Sequence, residues 1–124
     1  MTSPTQRSLA HLKAKGYTAA VTEHWNPFAH IRQDLFGFID IVAVKMRGKG
    51  VLAVQTTSAD NISKRIAKSM VIPALTVWLS SGNTYIVQGW SLKGKKGERK
   101  MWQVTERKII LNKGELVVEE NFTY

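Results

Sequence analysis

Asp40 stands between Ile39 and Ile41 in an apolar stretch, where an ionised carboxylate left unpaired costs several kcal/mol. It needs a partner. Further on, Gly48-Lys49-Gly50 can reverse the chain, and the apolar run Val51-Leu52-Ala53-Val54 ends in Gln55, Thr56 and Thr57. A turn centred near Gly48 brings Asp40 opposite Gln55 to Thr57, within a residue either way. A carboxylate meeting amide and hydroxyl oxygens at a sheet end is a donor set for a hard divalent cation such as Mg2+ or Mn2+. The plainer alternatives are an Asp40 capped by backbone amides or paired with Arg32, and a Gln55 that only hydrogen-bonds across strands.

Two further carboxylates lie close in sequence. Glu23 falls at a strand end, where glutamate is usually solvated, and Asp34 in a loop, where an Asx turn is the plainer role. His24 and His30 flank this region without fixed ligand spacing, and His11 beside Lys13 reads as exposed. Trp25 borders the loop and is the tryptophan best placed to stack on a base; Trp78, Trp90 and Trp102 read as core or interface. Cations fall in two clusters able to grip phosphates: Lys64, Arg65 and Lys68, then Lys93, Lys95, Lys96, Arg99 and Lys100.

These residues must be held by regular elements. Ser3-Pro4-Thr5-Gln6 predicts a helix start with a capping box, Leu9 and Leu12 on the buried side, and a stop at Gly16. Tyr17 to Trp25 reads as a first strand, and Asn26-Pro27 opens a polar loop over residues 26–34. The stretches around Asp40 and from Val51 are the second and third strands, with Asp40 in mid-strand. Ser58 to Asn61 offers caps for a helix whose Ile62, Ile66 and Met70 share a face. Pro73 ends or restarts it, and a short helix runs to Gly82. Thr84 to Trp90 is a fourth strand, residues 92–100 a basic loop, and Met101 to Thr105 a fifth strand. Beyond Lys108 the pattern fits strand or helix, and Asn112-Lys113-Gly114 can turn a last hairpin. Helix, three strands, helix and further strands predict an α/β (α+β) fold, a central mixed sheet flanked by helices.

The 124 residues fit one domain with one core. The absence of cysteine excludes disulfides and thiolate metal sites. No apolar run approaches the ~18 residues a membrane span needs, and the first residues lack a signal peptide's apolar core, so a cytoplasmic protein is expected. Eighteen basic against nine acidic residues give a net charge of +9, which favours a polyanionic partner, nucleic acid first.

With Asp40, Gln55 and Thr57 on an αβββαβ order, the chain resembles the PD-(D/E)XK nuclease superfamily. Within it the chain is most similar to archaeal-type Holliday junction resolvases and small phage or prophage nuclease-like proteins. Arg32-Gln-Asp-Leu-Phe-Gly-Phe-Ile-Asp40, Val54-Gln-Thr-Thr57 and Gln88-Gly-Trp90 carry the resemblance, which covers roughly residues 5 to 103. It implies a restriction-endonuclease-like core and metal-dependent hydrolysis of DNA phosphodiesters, selective for branched DNA and performed by a homodimer. One or two Mg2+ or Mn2+ ions would sit on Asp40, Gln55 and Glu23.

The departures are specific. Gln55 stands where a glutamate is usual, Thr57 where a lysine is usual, and Gln6 about where a helix-one glutamate often occurs. Losing a placed acid–base group costs ~10²–10⁴-fold in rate. Glu23 and Asp34 could restore negative charge, and Lys64 or Arg32 could supply a relocated cation. Two other functions fit the same residues: a DNA-binding protein whose nuclease site has decayed, and a small basic RNA-directed module.

Overall fold

The computed structural model describes residues 2–124. Helix α1 (Pro4–Ala14) begins with the predicted capping box: the Ser3 hydroxyl accepts from the Gln6 amide and the Gln6 side chain accepts from the Ser3 amide. Gln6 is thus a capping residue. Leu12 is buried, Leu9 packs beside it, and the chain leaves the helix through Gly16 at φ 91°.

The strands are β1 (Thr18–Val21), β2 (His24–Asn26), β3 (Ile31–Gln33), β4 (Ile41–Val44), β5 (Leu52–Ser58), β6 (Thr84–Lys93), β7 (Met101–Asn112) and β8 (Glu115–Glu119). Six form one mixed sheet, ordered β1-β4-β5-β6-β7-β8, in which only β5 and β6 run parallel. A 3-10 turn (Ala59–Asn61), α2 (Ile62–Met70) and α3 (Pro73–Ser80) make the crossover that a parallel pair requires. The molecule is therefore a mixed α+β fold, its central sheet flanked by three helices.

Two apolar layers fix that arrangement. On one face Ala53, Tyr85, Val87 and Ile109 pack with Phe38, Ile39, Ile62 and Leu75. Ile66 and Met70 join them, as the spacing of α2 predicts. On the other face Ile41, Ala43, Leu52, Val54 and Ile86 pack against Leu12 of α1. Gly89 lets the crossover lie close: a Cβ there would come within 2.3 Å of Ile62 Cδ1 and 2.9 Å of Ala59 Cα. The start of α2 is thereby held over the carboxyl end of β5. Among the described residues no helix is long and apolar enough to cross a membrane.

Two expectations need correction, and one open choice is decided. The first strand ends at Val21, and the presumed loop 26–34 contains β3, which pairs with β2 as a separate two-stranded hairpin. Asp40 is not in mid-strand. Residues 35–39 close a tight turn through Phe36 (φ 56°) and Gly37 (φ 85°), and β4 starts only at Ile41. The segment from Lys108 is strand: β7 runs on to Asn112, and Lys113-Gly114, both at positive φ, turn the chain into β8.

Candidate metal centre at the sheet end

Ile41 pairs with Val54, so Asp40, one residue earlier, stands opposite Gln55 as the turn at Gly48 predicts. Asp40 follows the turn directly and is held by backbone bonds on both sides. Its amide donates to the Val54 carbonyl (3.0 Å) and its carbonyl accepts from the Thr22 amide (2.8 Å). Its carboxylate Oδ2 accepts from the Thr56 amide at 2.8 Å. Asp40 is 4% exposed. One backbone donor does not satisfy a buried carboxylate.

The other groups around it carry the same sign of charge. Ligand oxygens of Glu23, Asp34 and Asp40 all lie within 4.8 Å of one another. Glu23 comes from the link between β1 and β2, Asp34 from the end of the β2–β3 hairpin, and Asp40 from the start of β4. Burial pushes the Asp40 carboxyl up to about 8; a hydrogen bond with Asp34 and the charges of Asp34 and Glu23 act the same way, while the Thr56 amide opposes them. A carboxylic acid that keeps its proton to so high a pH among other carboxylates is what a cation would displace. The donor set, three carboxylates at one point, fits a divalent ion.

Gln55 is buried and belongs to this cluster, though not through its oxygen. Its amide nitrogen donates to Asp34 Oδ2 (3.0 Å), and its Oε1 accepts from the Tyr85 hydroxyl (3.1 Å). Burial raises the Tyr85 phenol well above its usual range, so it stays a neutral donor. Thr57 is buried on the sheet face toward α2. Thr56, on the other face, accepts from Ser8 Oγ (2.8 Å), which accepts from Trp90 Nε1 (2.9 Å). That buried relay anchors α1 beside the acidic cluster, and no local pattern in the sequence announces it.

A cleft of about 700 Å³ opens over the carboxylates, and Thr5, Glu23, Asp34, Asp40 and Thr56 lie along it. Arg32, Arg65 and Lys68 line it as well. Arg32 comes within 3.7 Å of Glu23, so it offsets part of the acidic charge. Lys64, one residue from Arg65, is exposed on α2 and is not a lining residue. Thr57 does not line the cleft either. Of the candidate relocated cations, then, Arg32 is beside the cluster and Lys64 is not; Arg65 and Lys68 take that place.

The second basic cluster lies elsewhere. Gln55 pairs with Val87, and Lys93 is six residues further along β6, roughly 20 Å at the usual strand rise. Lys93, Lys95, Lys96, Arg99 and Lys100 surround the exposed β6–β7 turn, which projects past the same end of the sheet as the cleft. His11, expected on the surface, is half-buried edge-on to Trp90 at 5.8 Å, and burial lowers its pKa. Comparison with protein-family models, with curated proteins and with solved structures found no match to this chain.

Proposed function

We propose that the protein is a metal-dependent endodeoxyribonuclease of PD-(D/E)XK type, acting on branched DNA such as a four-way junction. The observation that carries the reading is the convergence of Glu23, Asp34 and Asp40 on one point of a cleft also lined by Arg65 and Lys68. Carboxylates facing a phosphodiester are unfavourable unless a cation lies between them, and the flanking cations are what a phosphate would need. The element order supports it in part: with the β2–β3 hairpin set aside as an insertion and α2 and α3 taken together as one crossover, helix, antiparallel β1-β4-β5, crossover and parallel β6 are compatible with the expected αβββαβ order.

Glu23, Asp34 and Asp40 would hold Mg2+ or Mn2+, which supplies Lewis-acid stabilisation of charge and a nucleophile at neutral pH. The chain's own residues do the rest. The Thr56 amide, the Val54 carbonyl and the Thr22 amide fix Asp40, while Gln55 fixes Asp34. Arg65 and Lys68 bind and orient the phosphate and stabilise charge that develops on it. A homodimer would place paired cuts across a symmetric junction.

A second reading has its own observation. Tyr85 engages the Gln55 oxygen and Thr57 brings no cation, so the site lacks two groups of a complete nuclease centre. A DNA-binding protein with little cleavage activity would look the same. Incubation with linear, flapped and four-way-junction DNA in Mg2+, Mn2+ or EDTA separates the two. Metal-dependent cleavage that falls at least ~100-fold in Asp40→Asn, with DNA binding retained, is the expected result. Cleavage undiminished in that variant would rule out this centre, and tight binding without cleavage would favour the second reading. Indifference to DNA would leave an RNA-directed role.

A further inference from the structure

We infer that the β2–β3 hairpin is a stacking wedge for unpaired bases, one that selects DNA with a branch or single-stranded segment over continuous duplex. The inference rests on the nucleic-acid reading above and adds to it the feature of the substrate that is recognised.

The hairpin spans His24 to Gln33, and its tip carries an apolar ring in open solvent: Phe28 is 95% exposed. Trp25 is 54% exposed, and Ile31 and Phe36, which line the cleft, are about as open, so the hairpin and the turn after it present four large apolar side chains to solvent. Single exposed apolar residues are ordinary on any surface, but a cluster of this kind marks a contact site. The tip is also built to keep its shape. The Asn26 side chain accepts from the backbone amides of Phe28 (2.9 Å) and Ala29 (3.1 Å), and Trp25 meets His30 edge-to-face at 6.2 Å. Rings held out on a rigid turn lose little freedom when they are covered.

Charge decides what covers them. Residues 24–33 include no carboxylate, whereas Arg32 pairs directly with Trp25 across the hairpin. An indole and a guanidinium side by side on one strand face match a base and the phosphate next to it. Ile31, Arg32 and Gln33 are at once hairpin residues and cleft wall, so a base on Trp25, the partner of Arg32, adjoins a phosphate over the acidic cluster, and Phe28 at the tip meets a base further out. In continuous duplex the base faces are already stacked and offer nothing to these rings. Beside a flap or junction they are open.

Equilibrium binding in EDTA tests this without cleavage, using two end-labelled probes of equal phosphate number, one fully paired and one with a single-stranded flap. Phe28 is so exposed that Phe28→Ser should fold as the parent does, and circular dichroism checks it. Phe28→Ser combined with Trp25→Ala should weaken flap binding about tenfold and duplex binding less than twofold. Equal loss on both probes, or no loss on either, overturns the wedge and leaves the nuclease reading standing. Flap-selective binding by a protein that never cleaves would keep the wedge and remove the nuclease. A parent that binds neither probe in EDTA, together with an Asp40→Asn variant that binds neither in Mg2+, removes both. Sedimentation of parent and variant completes the test, because a dimer that Phe28→Ser dissociates would make the tip an interface between copies and overturn the inference.

Discussion

Two carboxylates of this sheet each stand opposite a glutamine, and they end in opposite conditions. Glu106 on β7 pairs with Gln88, whose amide donates to Glu106 Oε2 at 2.8 Å and to the Tyr124 hydroxyl at 2.9 Å. Asp40 faces Gln55, but that amide passes it by and donates to Asp34. Glu106 is closed by a neutral donor within its own sheet. Asp40 keeps one backbone donor and meets Asp34 and Glu23 within 4.8 Å. Residue type does not separate the two, since each is an acid beside a glutamine. What separates them is where the glutamine's donor goes and how many other charges share the space. The first carboxylate has its donor as folded, with Gln88 Oε1 the atom left without a partner; the second is the one that the proposed cation would complete.

That contrast can be broken most directly by melting the protein across pH with and without metal. The Asp40 carboxyl is raised from its ordinary value of 3.8 to about 8 by burial and by its acidic neighbours. Between those values the folded state binds more protons than the unfolded chain, so stability falls as pH rises. In EDTA the melting temperature should therefore decline from about pH 4 to pH 8. At pH 8, Mg2+ or Mn2+ at about 100 times its dissociation constant should restore about 2.7 kcal/mol, a rise on the order of 10 °C. Asp40→Asn should lose both effects and melt no lower than the parent in EDTA, because an asparagine amide can donate to Asp34 where the shared proton does. A metal response that survives in this variant would contradict the centre.

Glu106→Gln is the matched control. It removes a charge from a carboxylate that already has its donor and lies outside the acidic cluster, so the metal response should match the parent. Stability should drop by about 1 kcal/mol as a charge-assisted hydrogen bond becomes a neutral one. If Glu106→Gln alters the metal response as Asp40→Asn does, the two carboxylates are not distinct and the comparison fails.

The cations of the cleft sharpen a different part of it. Arg65→Ala and Lys68→Ala should each reduce the slope of log K against log salt for duplex DNA by about 1, as the loss of one phosphate contact does. Lys64→Ala, on the exposed side of α2, should move it less. A uniform effect over all three would assign the slope to the +9 charge of the whole chain and not to the cleft.

How much of this could be read from the chain depends on how local each cause is. The capping box at Ser3 and Gln6, the face of α2 and the last hairpin at Lys113-Gly114 are set by neighbours in sequence, and each is where its residues predict. The opposition of Asp40 and Gln55 follows from one turn and strict alternation. The β2–β3 hairpin was hidden because Pro27 and the mixed polarity of residues 24–33 give no period. The turn at residues 35–39 was hidden because its residues are apolar enough to pass for strand, although Phe36 and Gly37 adopt positive φ. Glu23 and Asp34 could be named as candidates, but their meeting with Asp40 depends on how that hairpin folds back. Most remote of all is Tyr85, thirty positions from Gln55 and joined to it only through the parallel pairing of β5 and β6.

Tyr85→Phe isolates that last contact, and its expected effect on the metal response is the smallest. The phenol hydroxyl is the donor to Gln55 Oε1, so its removal leaves a buried acceptor without a partner. Such a group costs ~1–3 kcal/mol, and the ring's packing against Phe38 at 5.1 Å remains to hold the core. Melting should therefore show a modest loss in EDTA. If the freed Gln55 oxygen turns toward the carboxylates, it becomes a fourth ligand and the melting increment due to Mg2+ should rise. If Gln55 keeps its bond to Asp34, the increment should equal the parent's. Either result fixes the role of Gln55: a ligand held in check by Tyr85, or a positioning residue for Asp34. A smaller increment would mean that Tyr85 itself helps to shape the metal site, and the division drawn here between carboxylates that bind and neighbours that position would have to move.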